Sequence, residues 1–373
     1  MRLEPTGNER LKAILKSLVR IRSDTGSDMS EIVRSAHAFL KREGIDTRIY
    51  WDNSKAPCLV ARYPRRNGGN GGGESLGFHC HLDTAAAESP GWRVDPLSSQ
   101  EIKGRIFGRG TLDCKGLAAV WIDLFLDFSA AAAAFPFDLV LMMSTDEESG
   151  GEGIRKLLSE TQETRGCFLV LGEGGGFPIR SGRATFYTVQ TGEMERLGFK
   201  EPASSNSTNS NLYEIFMGIH RKVITKETLL FWFRHAVGLR DASRSLSDSP
   251  LAAEILASDG SYRSPLSRKT PPARQSRGST RRKAISLGLK AMRTALRSAD
   301  KKFRILPLVT AGISDNRHYR NFGLPVLGFF PLCRANSLSG YHGANEYILT
   351  DSLGFAKDVL RNTIIAIKEA ISG

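Results

Sequence analysis

Four short runs set imidazole and carboxylate groups in a fixed order along this 373-residue chain: His81-Leu82-Asp83, Gly108-Arg109-Gly110-Thr111-Leu112-Asp113-Cys114-Lys115-Gly116, Asp146-Glu147-Glu148 and Gly172-Glu173-Gly174. A fifth, Tyr341-His342-Gly343-Ala344-Asn345-Glu346, follows late in the sequence. Imidazole nitrogen and carboxylate oxygen both suit divalent transition metals, zinc among them, and a catalytic site keeps one position open for water. The carboxylates also need an electrostatic explanation. Converging without a cation, they would repel one another and raise their own pKa values. A bound metal pair removes that conflict and inverts the local pKa logic.

The elements that must position these residues can be read from apolar runs. Phe78-His79-Cys80-His81 is strand-like, and alternation puts His79, His81 and Asp83 on one strand face. His79 is therefore a rival ligand on geometry alone. Residues 137–143 and 167–171 read as buried strands that end at Asp146-Glu147-Glu148 and at Glu173. Lys115–Phe128 and Gly153–Ser159 read as crossover helices between strands. Strands alternating with helices predict an α/β fold, with a mostly parallel central sheet covered on both faces. Open sheets of this kind bind ligands at the carboxyl ends of their strands, where the runs fall.

Each run has a plainer reading. An Asp-Glu-Glu triplet alone is a solvated loop, and a lone late histidine is a loop histidine. The buried strand leading into the triplet argues against the first. Gly108-x-Gly110 could cradle phosphate, but no strand-loop-helix nucleotide fingerprint surrounds it. Gly110 is read instead as a turn that aims Asp113.

Order and spacing together resemble the M20 family of di-zinc aminoacylases and exopeptidases, over about residues 8–192 and again over about 285–373. The resemblance implies a zinc-exopeptidase-like fold and two Zn2+ ions, with Co2+ or Mn2+ as substitutes. It makes His81 and Glu173 ligands of the first metal, Glu148 and His342 ligands of the second, and Asp113 the bridge. Glu147 becomes the general base. Asp83, grouped with it as catalytic, would hold the other nitrogen of the His81 imidazole and fix its tautomer.

The late third carries the pattern as well. Ala284–Ala299 reads as a helix, Arg304–Val309 and Leu324–Phe329 as strands, and Asp351–Ser372 as a closing helix. Gly312-Ile313-Ser314-Asp315-Asn316-Arg317 resembles a family run whose arginine reaches the substrate carboxylate, although Ile313 stands where a small polar residue is usual. Arg317 is thus the substrate-binding candidate, because a guanidinium can grip a carboxylate in a bidentate fashion.

Between these parts the resemblance lapses. Family members carry a lid or dimerisation domain there, a small antiparallel sheet flanked by helices with a Gly-His motif. Neither His220 nor His235 sits in such a motif. Ser204–Asn211 is low-complexity polar text, and residues 241–302 hold 14 Lys and Arg against five Asp and Glu. Text of this kind resists packing into a core. The division expected is 1–192 and 285–373 as two parts of one catalytic domain, with 193–284 an atypical, partly disordered insert at the lid position. Reading out of frame across 194–284 would produce such a lapse. Without a lid motif there is no basis for expecting a homodimer.

Composition sets the frame. The chain is long enough for two domains with ample core. Net charge is +13, and apolar residues make up 40%. Cysteines at 58, 80, 114, 167 and 333 form no Cys-x-x-Cys pair, so they read as reduced thiols of a cytoplasmic protein. Cys80 and Cys114 flank ligand candidates and are read as small buried hydrophobes. Glu9–Ile21 is a basic amphipathic stretch whose default is helix packing. No signal core and no membrane-spanning run is found.

Two function classes follow. One is a metal-dependent hydrolase of an amide or peptide bond next to a free carboxylate, a deacylase or carboxypeptidase acting on an N-acyl amino acid or dipeptide. The other is a catalytically impaired relative whose basic insert binds anions or nucleic acid. Nucleic acid is disfavoured as a partner, because neither aromatic stacking residues nor a folded reading module accompanies the basic clusters.

Overall fold

The computed structural model describes residues 7–52, 54–65, 74–87, 90–131, 133–161, 164–181, 184–193, 277–301, 303–310, 314–338 and 340–373. His220, His235, the Ser204–Asn211 stretch, most of the basic segment and Gly312-Ile313 lie outside these residues.

The chain opens with helices α1 (Gly7–Arg20) and α2 (Ser30–Arg42) and strands β1 (Asp46–Tyr50), β2 (Cys58–Tyr63) and β3 (Ser75–His81). A small hairpin, β4 (Glu101–Ile102) and β5 (Arg105–Phe107), precedes α3 (Lys115–Ala130). Then come β6 (Asp138–Ser144), a single 3₁₀ turn (Glu147–Ser149), α4 (Glu152–Glu160), β7 (Cys167–Gly172), β8 (Pro178–Ser181) and β9 (Ala184–Glu193). The later part holds α5 (Arg277–Ala299), β10 (Phe303–Thr310), α6 (Asn316–Asn321), β11 (Val326–Gly328), β12 (Tyr347–Leu349) and α7 (Thr350–Ser372).

Among the described residues the main sheet runs β1-β2-β6-β3-β7-β11-β9-β10, with β8 paired to β9. The four central strands β6, β3, β7 and β11 are mutually parallel. The outer pairings β1-β2, β2-β6, β11-β9 and β8-β9 are antiparallel, and β9-β10 is parallel. The sheet is therefore mixed, and the parallel expectation holds for its centre. A parallel strand needs a crossover, which α3 and α4 supply. The edge strands turn back through short loops, and β1 and β2 lack the long apolar run that marks a strand buried on both faces.

Alternation along the strands fills both faces. Leu76, Phe78 and Cys80 of β3 and Leu139, Leu141 and Met143 of β6 join a large apolar layer with α1, α2, α3, α5 and α7. Val140 and Met142 point the other way, into a smaller layer with Ile154, Leu157 and Leu158 of α4 and Tyr319 of α6. This period of two puts His79 and His81 opposite Phe78 and Cys80. Elements before and after the undescribed stretch share one sheet, since β9 pairs with β10 from Thr185↔Phe303 to Glu193↔Thr310. Among the described residues no helix is long and apolar enough to cross a membrane.

Candidate metal centre

Strands β3, β6 and β7 are neighbours, so their carboxyl ends deliver three donor segments side by side. His81 is the last residue of β3, Glu173 directly follows β7, and Glu147 and Glu148 form the turn after β6. Asp113 arrives on the loop before α3, and His342 on the loop before β12. His81 Nε2 lies 3.0 Å from Asp113 Oδ1 and 3.0 Å from Glu173 Oε2. His342 Nε2 lies 2.7 Å from Asp113 Oδ2 and 3.2 Å from Glu148 Oε1. Two donor groups thus meet at the two oxygens of one carboxylate, Asp113.

Hydrogen bonding does not satisfy this arrangement. Each Nε2 carries at most one proton yet faces two carboxylates. Glu148 Oε1 and Glu173 Oε1 are buried with no hydrogen-bond partner. A cation between the donors resolves both problems. Bonds of about 2.0–2.1 Å to N and O place tetrahedral donors about 3.3 Å apart, close to the spacings found. The residues therefore fit a pair of divalent ions.

The electrostatics of the metal-free protein agree. Burial opposes a charged His81, yet the carboxylates of Glu173, Asp113 and Asp83 and the nearby Cys114 sulfur hold its pKa well above the ordinary value. Burial likewise opposes a charged His342, but the neighbouring carboxylates of Asp113 and Glu148 keep it at about 10. Against its own desolvation, Asp113 is held far below the usual carboxylate range by the two imidazoles. Burial pushes the half-buried Glu147 carboxyl well up; nearby His81 opposes this, while Glu173, Asp315 and Asp113 reinforce it. A basic carboxylate beside the donor groups is what proton transfer near neutral pH requires.

Other residues hold the donors in place. Glu346, fully buried, accepts from Arg109 Nη1 at 2.9 Å, from Leu112 N–H at 2.7 Å and from Gly110 N–H at 3.1 Å. One carboxylate thereby shapes the loop that presents Asp113. Gly110 has φ +87°, and a Cβ there would come within 2.7 Å of Thr84 Cγ2, so the turn expected at this position needs glycine. His81 Nδ1 lies 2.9 Å from the Asp83 carbonyl and 3.3 Å from its Oδ1. The carbonyl is the better acceptor, and Asp83 Oδ2 instead takes the Glu148 N–H at 3.0 Å. Asp83 thus ties together the segments that carry His81 and Glu148.

Arg317 begins the second residue of α6. Its Nη2 donates to the Gly150 carbonyl at 2.8 Å and its Nε to His318 Nε2 at 3.2 Å. It therefore sits against the end of the Glu147–Ser149 turn and outside the two donor groups. His79 is also outside them. Its Nε2 lies 3.4 Å from Asp315 Oδ2, and its ring packs on Tyr319 with centroids 5.1 Å apart.

Three supports escaped the sequence reading. Asp315 is buried, accepts from Ser144 Oγ at 2.6 Å and so pins the Arg317 segment to the end of β6. Asn316 Nδ2 donates to the Glu173 carbonyl at 2.9 Å and to Gln190 Oε1 at 2.6 Å. Tyr341 stacks on His342 with centroids 4.6 Å apart. Adjacency to the matched motifs was the only signal for these residues. The partners of Asp315 and Asn316 are distant in sequence, so spacing does not reveal those two.

The fold is a mixed sheet flanked by helices, and it brings two His–carboxylate donor groups that could hold divalent ions to the carboxyl ends of its central strands. The model of peptidase family M20/M25/M40 matches residues 77–261, just under half of the chain, which is thus similar to this family. The match extends beyond Glu193, the last described residue of β9, to residue 261. A Beta-Ala-His dipeptidase of Rattus norvegicus is 30% identical over 90 residues, 24% of this chain and 18% of that protein. A succinyl-diaminopimelate desuccinylase of Wolbachia pipientis subsp. Culex pipiens is 27% identical over 204 residues, 52% of this chain and 50% of that protein. Alignment with these curated relatives thus spans half of their length or less. An M20 family metallo-carboxypeptidase from Sulfolobus solfataricus shares the fold with a TM-score of 0.61 at 13% identity, covering 96% of this chain and 99% of that one.

Proposed function

We propose that this protein is a metal-dependent hydrolase that cleaves an amide or peptide bond beside a free carboxylate, in an N-acyl amino acid or a small peptide. The observation that carries the reading is the pair of donor groups, His81–Asp113–Glu173 and Asp113–Glu148–His342, joined through one carboxylate. Similarity to a dipeptidase, a desuccinylase and a metallo-carboxypeptidase supports amide hydrolysis as the reaction class. Divalent ions held by these residues, zinc by preference, supply Lewis acidity toward a carbonyl and toward water.

The protein's own residues do the rest. Glu147 takes a proton from the attacking water and returns it to the leaving amine. Asp113 splits its two oxygens between the donor groups. Asp83 and Glu346 orient the segments that carry the ligands. Arg317 pairs with the substrate carboxylate, and Asp315 fixes its helix against β6. Direct β9-β10 pairing supports 1–192 and 285–373 as two parts of one catalytic domain, with 193–284 between them at the lid position.

The test loads chelated protein with Zn2+, Co2+ or Mn2+ and measures bound metal and turnover on a panel of N-acyl amino acids and dipeptides. Metal-dependent release of a free amine supports the proposal. Retained metal with no turnover on any member would favour the impaired relative, and failure to bind metal would refute both.

A further inference from the structure

The donor group around His81 contains one atom that the ligand set above does not use. Cys114 Sγ lies with a ring nitrogen of His81 and carboxylate oxygens of Asp113 and Glu173 in a cluster whose atoms are all within 4.8 Å of one another. The cysteine is 1% exposed and heads α3 directly after Asp113. Cys80 and Cys114 both border the large apolar layer, and Cys58 and Cys167 lie in the smaller one; of these four only Cys114 also belongs to the donor cluster. Cys333 Sγ accepts from Ser352 Oγ at 3.1 Å. Burial against the apolar layer accounts for Cys80, but for Cys114 it does not explain why the sulfur also lies among charged donors.

An independent observation points to a cation at this spot. Glu173 is 6% exposed, and its Oε1 has no hydrogen-bond partner. Sulfur binds zinc at about 2.3 Å, and nitrogen and oxygen bind at about 2.0–2.2 Å. Tetrahedral donors around one such ion lie about 3.3 to 3.6 Å apart, a spacing that a cluster bounded at 4.8 Å reaches by side-chain shifts of about an ångström.

We propose that Cys114 is a thiolate ligand of the ion held by His81, Asp113 and Glu173. The proposal rests on the metal-centre reading above. The thiol proton passes to solvent as the sulfur binds, since a coordinating thiol is deprotonated outright by the ion. The two centres then differ in kind. The first has four protein donors including a soft sulfur, and it favours thiophilic ions such as zinc, cobalt or cadmium over manganese or magnesium. The second has only nitrogen and oxygen donors from three residues and keeps a position open.

The experiment titrates the chelated full-length protein with Co2+. Visible d–d bands and bound-metal analysis report the centre itself, and a near-ultraviolet thiolate-to-cobalt charge-transfer band reports the sulfur. Expected are both signals in the wild type, loss of the charge-transfer band in Cys114→Ser, and its retention in Cys333→Ser. X-ray absorption of the zinc-loaded wild type should show a sulfur neighbour at about 2.3 Å, a readout that does not depend on the variant folding. Bound cobalt without the band, together with zinc lacking a sulfur neighbour, overturns Cys114 as a ligand and leaves the metal centre standing. No cobalt binding at all overturns the centre and the proposal together.

Discussion

Replacing Glu346 by Gln should reach the metal site through the loop rather than through any metal ligand. Glu346 and Arg109 form a pair whose side chains are each 1% exposed. Removing one partner of a buried pair costs about 3–5 kcal/mol, because the other charge stays behind in a low-dielectric site. The amide oxygen of Gln can keep one of the bonds from Gly110 and Leu112, but it loses the charge that makes such bonds worth about 1.5–3 kcal/mol each. A net loss of about 3–5 kcal/mol is expected at neutral pH. Urea unfolding in the presence of a chelator measures it without a contribution from bound metal, and an unchanged m value would show that only stability moved. Pairing Glu346→Gln with Arg109→Met should restore part of the loss, with a coupling of about 0.5–3 kcal/mol. Zinc affinity should fall on the order of 10- to 100-fold, as for other residues that orient ligands, since Asp113 is presented by this loop. A stability change below about 1 kcal/mol with unaltered zinc affinity would refute the role given to Glu346.

Further outcomes follow from the same geometry. Glu147→Gln should keep its metal and lose about 10²–10⁴-fold in kcat, measured on a metal-loaded sample; near wild-type turnover would remove Glu147 as the base. Arg317→Met should raise KM for carboxylate-bearing substrates much more than for their amides, and equal effects on both would point to a purely structural arginine. In the metal-free protein, His342 titrates near 10 against an ordinary 6.5. Its folded pKa is raised, so the stability it contributes is full below about pH 6.5 and is lost as pH rises toward 10. Chelated protein should therefore lose stability across that window, His342→Gln should flatten the loss, and an unchanged pH profile in the variant would contradict the assignment. Zinc affinity should rise with pH over the same range, because binding requires the neutral imidazole.

The central strands and their flanking helices could be read from the sequence because buried parallel strands are continuous apolar runs. Residues 137–143 and 167–171 fall within one or two positions of β6 and β7. Strands β1 and β2 could not be read in the same way. Asp46–Tyr50 is mostly exposed or half-buried, so its pairing with β2 rather than its own apolarity defines it. His81, Asp113, Glu148, Glu173 and His342 could be placed because each stands in a run of recognisable order. Alternation also gave the correct face for His79, but only the fold shows that Asp315 lies opposite it. Glu346 was visible as part of a motif while its work was not, since its partners at 109–112 are more than 230 residues away in sequence. Cys114 shows the reverse. Residue type alone argued for burial, and only the packing around Asp113 brings its sulfur among the donors.

Anomalous diffraction from zinc-soaked crystals of the wild-type protein, recorded on either side of the zinc absorption edge, addresses the dinuclear centre most directly. Two peaks per chain are predicted, one between His81, Asp113 and Glu173 and the other between Asp113, Glu148 and His342. A single peak away from Asp113, or none at these donors under saturating zinc, would contradict it.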